Sequence, residues 1–309
     1  MIAKVLEGAG GKVAEEWLPR LLTSSMIFWA GGLAAAIFRF GWRPVLDLLN
    51  GQSEAIQIAF LIVVLAGAIA SSMIVERFQL AALRGLEGYW YSVFKHQRRQ
   101  LIAKQIETRK KIYQQWKKVA KAYKQQPDSE LHRQYIQLQD RLEEFPKSDL
   151  MPTRFGNILR AAELRSLDKY GLDAVICWPR LWLLLPESAK ADLQAARAEL
   201  NAMARLWIWS WLFLVWTAWA WWAALLAFFS ACFAYHWAIA AAKTYGDLIE
   251  ASFDLYRGLL YEALRLPFPK QADQEPAAGR MLTQYLWRGT LPESYKFIAT
   301  SEASPVTDQ

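Results

Sequence analysis

The side chains able to do chemistry in this sequence concentrate in one stretch. Arg154, Arg160, Arg165 and Arg180 alternate with Glu163, Asp168 and Asp173. Guanidinium groups hold phosphates and carboxylates through forked pairs of hydrogen bonds. Arg154 stands near the start of an expected helix, where free backbone N–H groups also favour anions. Two readings follow: a cradle for a phosphate or nucleotide, or an ion-pair network that holds the small domain against the apolar spans, the second being the simpler. Other chemistry is sparse. His96, His132 and His236 share no ligand spacing with Cys or carboxylates, so no metal is expected. His236 lies in an apolar stretch, where it is either a proton relay or, the reading we favour, a neutral histidine hydrogen-bonded to a neighbouring helix. Walker A, G-x-G-x-x-G, G-x-S-x-G and H-E-x-x-H patterns are all absent. The expectation is a protein without catalytic activity or cofactor.

The elements that position these residues are dominated by apolar helices. Leu206 to Ala242 runs for 37 residues without Asp, Glu, Lys or Arg. A bilayer core takes roughly 20 residues of helix, so this length suits two spans, a tight hairpin falling just after Trp222. One long helix is the alternative. Trp207, Trp209 and Trp211 at one end, with Trp219, Trp221 and Trp222 about one span later, fit two interfacial belts. Two earlier spans are expected over 21–38 and 55–75. Residues 1–20 read as an interfacial pre-helix without the apolar core of a cleavable signal peptide. Gly31, Gly32 and Ala36, with Gly67 and Ser71, give small faces through which helix backbones approach closely. No Pro, Asp or Glu interrupts the spans, which argues against coupled transport.

Between the two pairs of spans lies a charged block. Residues 76–126 hold thirteen Lys or Arg against three Glu, whereas the whole chain has a net charge of +7. The remainder is therefore net acidic. Ile102, Ile106, Tyr113, Trp116, Ala120 and Tyr123 recur at helical spacing. Pro127-Asp128-Ser129 breaks the pattern, and Leu131, Tyr135, Leu138, Leu142 and Phe145 resume it. Two facing seams joined by one turn predict an antiparallel coiled-coil hairpin within 76–150. Short basic flanks stay cytoplasmic, which puts both termini inside. Arg77, Arg84, Lys95, Arg98 and Arg99 are the residues expected to meet anionic lipid headgroups. A small helical domain follows over 151–205, in which Leu172 to Pro186 is either buried or laid in the headgroup layer. Residues 206–242 form the second transmembrane hairpin, 243–266 a cytoplasmic helix, and 267–309 a linker and tail with a short docked piece from Met281 to Phe297. Cys177 and Cys232 lie far apart, so no disulfide framework is expected.

Pro152-Thr153-Arg154-Phe155-Gly156-Asn157-Ile158-Leu159-Arg160-Ala161-Ala162-Glu163 resembles a pattern in uncharacterised bacterial multi-pass membrane proteins. Tyr170-Gly171-Leu172-Asp173-Ala174-Val175, Trp178-Pro179-Arg180-Leu181 and Lys243-Thr244-Tyr245-Gly246-Asp247-Leu248 carry the same resemblance. It covers roughly the second half of the chain and leaves out the basic hairpin. It implies a bacterial source and a cytoplasmic-membrane location, and no activity.

The architecture expected is thus an all-α integral membrane protein with four spans, two plus two, around a cytoplasmic helical block. The function expected first is a homo-oligomeric pore or permeabilising protein. The rival is a membrane anchor whose hairpin recruits a soluble, acidic partner, with nucleic acid a weaker candidate.

Overall fold

A computed structural model describes residues 11–44, 53–292 and 297–298, with the backbone alone for 11–23 and 54. The apolar side chains of the expected pre-helix, and most of the tail beyond 292, lie outside the described residues. Those described are mostly helical, without strands. The chain divides into two units, Met1–Arg84 with Asn201–Ala238, and Gly85–Leu200 with Ile239–Gln309.

The first unit contains α1 (Gly11–Phe40) and most of α2 (Glu54–Glu87). It also contains the end of α7 (Glu187–Leu212), a 3₁₀ helix (Phe213–Ala218) and the start of α8 (Trp222–Ala263). Among the described residues two helices are long and apolar enough to cross a membrane, one through α2 with mean hydropathy 2.7 and the other α8 with 1.6. The apolar part of α1 described here, Ser24–Phe40, is shorter. Residues 55–67 of α2 are exposed on every face. A helix of this kind has no polar side to turn to water.

The inner face of the unit is built from small residues. Ala223, Ala227, Ala231, Ala234 and Ala238 are buried at steps of three and four along α8, and Ala68, Ser72 and Val75 are buried along α2. Large aromatic rings fill the remaining space. Trp216 packs between Phe28 and Trp219, at ring-centre distances of 5.0 and 5.3 Å. The glycines of α1 receive this cluster. A β-carbon on Gly31 would stand 2.4 Å from the Phe213 ring, and one on Gly32 would stand 2.4 Å from the Trp216 ring.

The expected hairpin after Trp222 falls slightly earlier, at Trp219–Trp221. The Trp216 carbonyl accepts the N–H groups of both Trp219 and Ala220 at 3.0 Å. Ala220 and Ala223 are fully covered, so small side chains make the close turn that Gly or Pro would otherwise signal. Ser210 and Ser230 meet across it through a 2.7 Å hydroxyl–hydroxyl hydrogen bond.

In the second unit, α3 (Lys95–Gln125) and α4 (Ser129–Glu143) fold back on one another as an antiparallel pair. Asp128 caps α4 by accepting the Glu130 N–H at 3.1 Å. Trp116–Tyr135 and Tyr123–His132 are in ring contact at 5.8 and 5.3 Å. Neither helix buries a residue completely. Ile106 and Tyr113, expected on the seam, are instead half exposed. The helices α5 (Arg154–Tyr170), α6 (Ala174–Leu184) and α9 (Glu275–Arg288) complete this unit with parts of α7 and α8. Its core joins Leu172, Cys177, Leu181, Phe253, Tyr261 and Leu282. The apolar stretch 172–186 resolves into α6, which buries Ala174, Cys177 and Leu181 and leaves Val175 and Leu183 exposed.

The segment read as a linker contains α9, with Pro276 in its first turn, where a missing N–H costs nothing. Its helical nature escapes a composition argument because Pro, Ala and Gln there suit a helix start as well as a linker.

The glycine contacts generate a prediction. Gly32→Leu forces Trp216 out of its aromatic pocket and should destabilise the solubilised protein by about 1–3 kcal/mol, read as a lower unfolding temperature. Gly67→Leu, where nothing stands within 4 Å of the added β-carbon, should leave that temperature unchanged or slightly raised.

Candidate functional site

The segment Pro152–Asn157 is a junction in which nearly every side chain has a partner. Thr153 accepts the Gly156 N–H at 2.9 Å, capping α5, while its hydroxyl lies 2.6 Å from the Leu86 carbonyl oxygen and 3.1 Å from that of Glu87. The end of one helix and the start of another are satisfied by one side chain. Gly156 permits the contact, since a β-carbon there would lie 2.0 Å from the Glu87 carbonyl oxygen. Gly88, at φ +99°, makes room for the Pro152 ring. Asn157 is fully buried and closes a loop by accepting the Met151 N–H at 2.8 Å and donating to the Met151 carbonyl at 3.1 Å. Buried polar groups paired this completely hold a backbone in one arrangement.

Three of the four arginines of the predicted constellation, Arg154, Arg160 and Arg165, go to acids. Arg154 grips Glu144 with two hydrogen bonds, Nε to Oε2 at 2.6 Å and Nη2 to Oε1 at 2.8 Å. Lys243 pairs with the same carboxylate. Burial would raise the Glu144 pKa, but hydrogen bonds and charge from Arg154 and Lys243 hold it below its ordinary value of 4.5. Arg160 bonds Glu163 at 3.1 Å and Asp149 at 3.4 Å. Arg165 pairs with Glu250, which also takes Lys169 at 2.6 Å. The chain of contacts continues through Tyr170, whose hydroxyl donates to Asp254 at 2.6 Å and whose ring lies 4.1 Å beneath the Arg257 guanidinium. Burial first, and then the Asp254 carboxylate, push the Tyr170 phenol above its ordinary value. Asp173 and Arg180 stand apart from this network. Asp173 caps α6 by accepting the Val175 N–H at 2.8 Å, and Arg180 donates to the Ile176 carbonyl at 2.7 Å. No arginine of the set converges with another on an open anion site.

No protein-family model, curated protein or solved structure matches the chain.

Other expected residues are dispersed. Ala36 is half buried, Ser71 accepts the Trp29 indole N–H at 3.2 Å, and Gly67 is open. Arg77 and Arg84 on α2, and Lys95 and Arg99 on α3, are exposed, whereas Arg98 donates to the Gly88 carbonyl at 3.2 Å. His96 bonds Gln100 at 2.9 Å, and His236 is exposed. Among the described residues no group of three His, Cys, Asp or Glu could hold a metal. Cys177 is buried beside Thr283, and burial pushes its thiol up to about 11, so it stays a neutral packing group.

Sequence reasoning missed a cavity of about 610 Å³ where α3 and the end of α4 meet α5. Its walls are aliphatic and aromatic, and its charged groups are Arg109, Lys110, Glu143, Lys147, Arg165 and Asp168. The one available signal was the i, i+3, i+4, i+7 stripe Ile106–Arg109–Lys110–Tyr113, whose apolar members also fit a helix seam. Lys243 and Glu250 were likewise not read as ionic partners, because the groups they meet lie far away in sequence; Glu144, only ten residues before Arg154, was also missed.

Removing the Glu144 charge tests the network. Glu144→Gln should destabilise the protein by about 2 kcal/mol through loss of charged hydrogen bonds. The folded carboxyl has the lower pKa, so near pH 4.5 the unfolded chain binds more protons. Its contribution is therefore complete above about pH 4.5 and fades as the pH falls through the folded value. Thermal unfolding should separate wild type from Glu144→Gln at neutral pH and bring them together in acid.

Proposed function

We propose that the chain is an integral protein of the bacterial cytoplasmic membrane that holds a basic helix hairpin in the cytoplasm for an acidic soluble partner. On this reading it has four spans, two plus two, both termini inside, and no catalytic step. The carrying observation is the contrast between its elements. Residues 55–67 of α2 offer only apolar side chains and small residues besides Gln57, while α3 carries a dense basic surface with most of its cations exposed and none fully buried. The positive-inside rule assigns that basic segment to the cytoplasm. The α3–α4 pair then acts as an antiparallel coiled coil, too thin to enclose a site and well suited to presenting a long charged face. Arg77, Arg84, Lys95 and Arg99 contribute attraction to anionic headgroups of about 1 kcal/mol each where they lie near the surface. The engagement of Arg154, Arg160 and Arg165 with acids favours an anchoring over a nucleotide-binding role.

A second reading, a homo-oligomeric pore, draws support from Gly67 and its exposed surroundings. Gly31 and Gly32 are occupied by Phe213 and Trp216 of the same chain, so self-association would fall to the α2 face around Gly67.

Reporter fusions after Gln126 and at the C-terminus should both read cytoplasmic; a periplasmic reading at either position overturns the four-span arrangement. Induced expression should not release a trapped dye if the protein is an anchor. Dye release that Gly67→Leu abolishes, together with cross-linked oligomers lost in the same variant, would establish the pore instead.

A further inference from the structure

We propose that the cavity between the hairpin base and α5 binds a single-chain anionic amphiphile, hydrocarbon inward and headgroup on Arg109, Lys110 and Lys147. This goes beyond the anchoring role and does not depend on it.

Three observations carry the assignment. The first is size and shape: about 610 Å³ lies within the range of about 300–1,000 Å³ typical of small-molecule sites. The second is what the hairpin leaves unburied. Ile106 and Tyr113 remain 52% and 51% exposed although both are large and apolar, and they flank Arg109 and Lys110 on one stripe of α3. Across from them stand Phe145 and Leu164. An alkyl chain laid between these groups removes apolar surface from water on both sides.

The third observation is the polar inventory. Arg109 uses one nitrogen on the Lys147 carbonyl, at 3.1 Å, which draws the two sides of the rim together. Lys147 meets Asp168 only at 3.3 Å, with its own side chain 74% exposed, so that pair is weak. Arg165, the remaining cation, is committed to Glu250. The lining holds no Ser, Thr, Asn or Gln. Its two carboxylates are engaged, Asp168 by Lys147 and Glu143 by the Gln139 amide at 2.9 Å, so a nucleobase or sugar would find few free partners for its hydrogen-bonding edge, which is costly. A hydrocarbon chain has no such edge. The anionic end needs only the cations at the rim, which can grip carboxylate or phosphate oxygens alike. A free fatty acid and a lysophospholipid from the membrane share this chemistry.

The test uses the full chain reconstituted in phosphatidylcholine nanodiscs, so that no detergent competes. A photoactivatable long-chain fatty acid is cross-linked, and the labelled peptides are mapped by mass spectrometry. Label is expected on peptides of residues 102–116 and 142–168. Unlabelled palmitate should compete, while hexadecanol, with the same chain and no charge, should compete about tenfold less well, the loss of one charged hydrogen-bonding head. Lysophosphatidate competing more strongly than palmitate would identify a membrane lipid as the source, and the reverse order a free fatty acid. Lys110→Glu should reduce labelling of these peptides about tenfold, and Leu164→Trp, which fills the cavity, should do the same. Lys110→Gln, an exposed and conservative change, keeps the test decisive if either variant fails to fold. Label confined to the apolar helices, equal competition by the alcohol, or labelling unchanged in Lys110→Gln overturns the proposal. The topology and leak outcomes are unaffected by any of these results.

Discussion

The second unit depends on close backbone approach between helices, made possible by glycine. Gly156 lets the start of α5 meet the Glu87 carbonyl, and Gly279 lets α9 meet the Tyr170 carbonyl, where an added β-carbon would lie 1.8 Å from the oxygen. Gly171, at φ +71°, supplies the left-handed end of α5 and sits under the Pro276 carbonyl. Backbones this close leave carbonyl and N–H groups shielded from water, so each needs a partner. Thr153, Asn157 and Thr283 provide them; the Thr283 hydroxyl takes the Asp173 N–H at 3.1 Å and lies 3.3 Å from the Gly171 carbonyl oxygen. Thr153, Gly171 and Asp173 thus serve helix ends.

Charge does the remaining positioning. Glu144 is almost wholly buried and is bonded by Arg154 from α5 and by Lys243 from α8. An isolated carboxylate in that position would be strongly unfavourable, so three segments are held in register by one group. Glu250 of α8 holds two cations of α5, Arg165 and Lys169, and Glu275 of α9 holds Arg257 of α8 at 2.5 Å. The helix α8 thereby brings its acids and bases to α4, α5 and α9. Such pairs add specificity of arrangement more than net stability.

The first unit follows different rules. Contact between its helices depends on the fit of small residues and aromatic rings. The alanine steps of α8 and the paired glycines of α1 supply smooth surfaces, and the Phe28–Phe213–Trp216 cluster fills the depression they leave. Gly31 and Gly32 therefore serve the chain's own packing, whereas nothing described packs against Gly67 of α2.

Much of this was legible in the sequence. Helical periods, the absence of charge over 206–242, the turn at Pro127-Asp128-Ser129 and the stop at Gly171 follow from local chemistry, since each depends on residues within a few positions of one another. Tertiary structure decided what distance in the chain conceals. The spacing of Ile106 and Tyr113 marks an apolar stripe, but only the path of α5 turned it from a helix seam into the wall of a cavity. Arg154 and Arg165 advertise anion binding in sequence, yet Glu144 and Glu250 reach them first. Gly31 could have faced another copy of the chain, and Phe213, about 180 residues away, fills the place. Local sequence carries propensity and period; partner choice is a property of the folded chain, because it depends on which distant groups arrive at the same point.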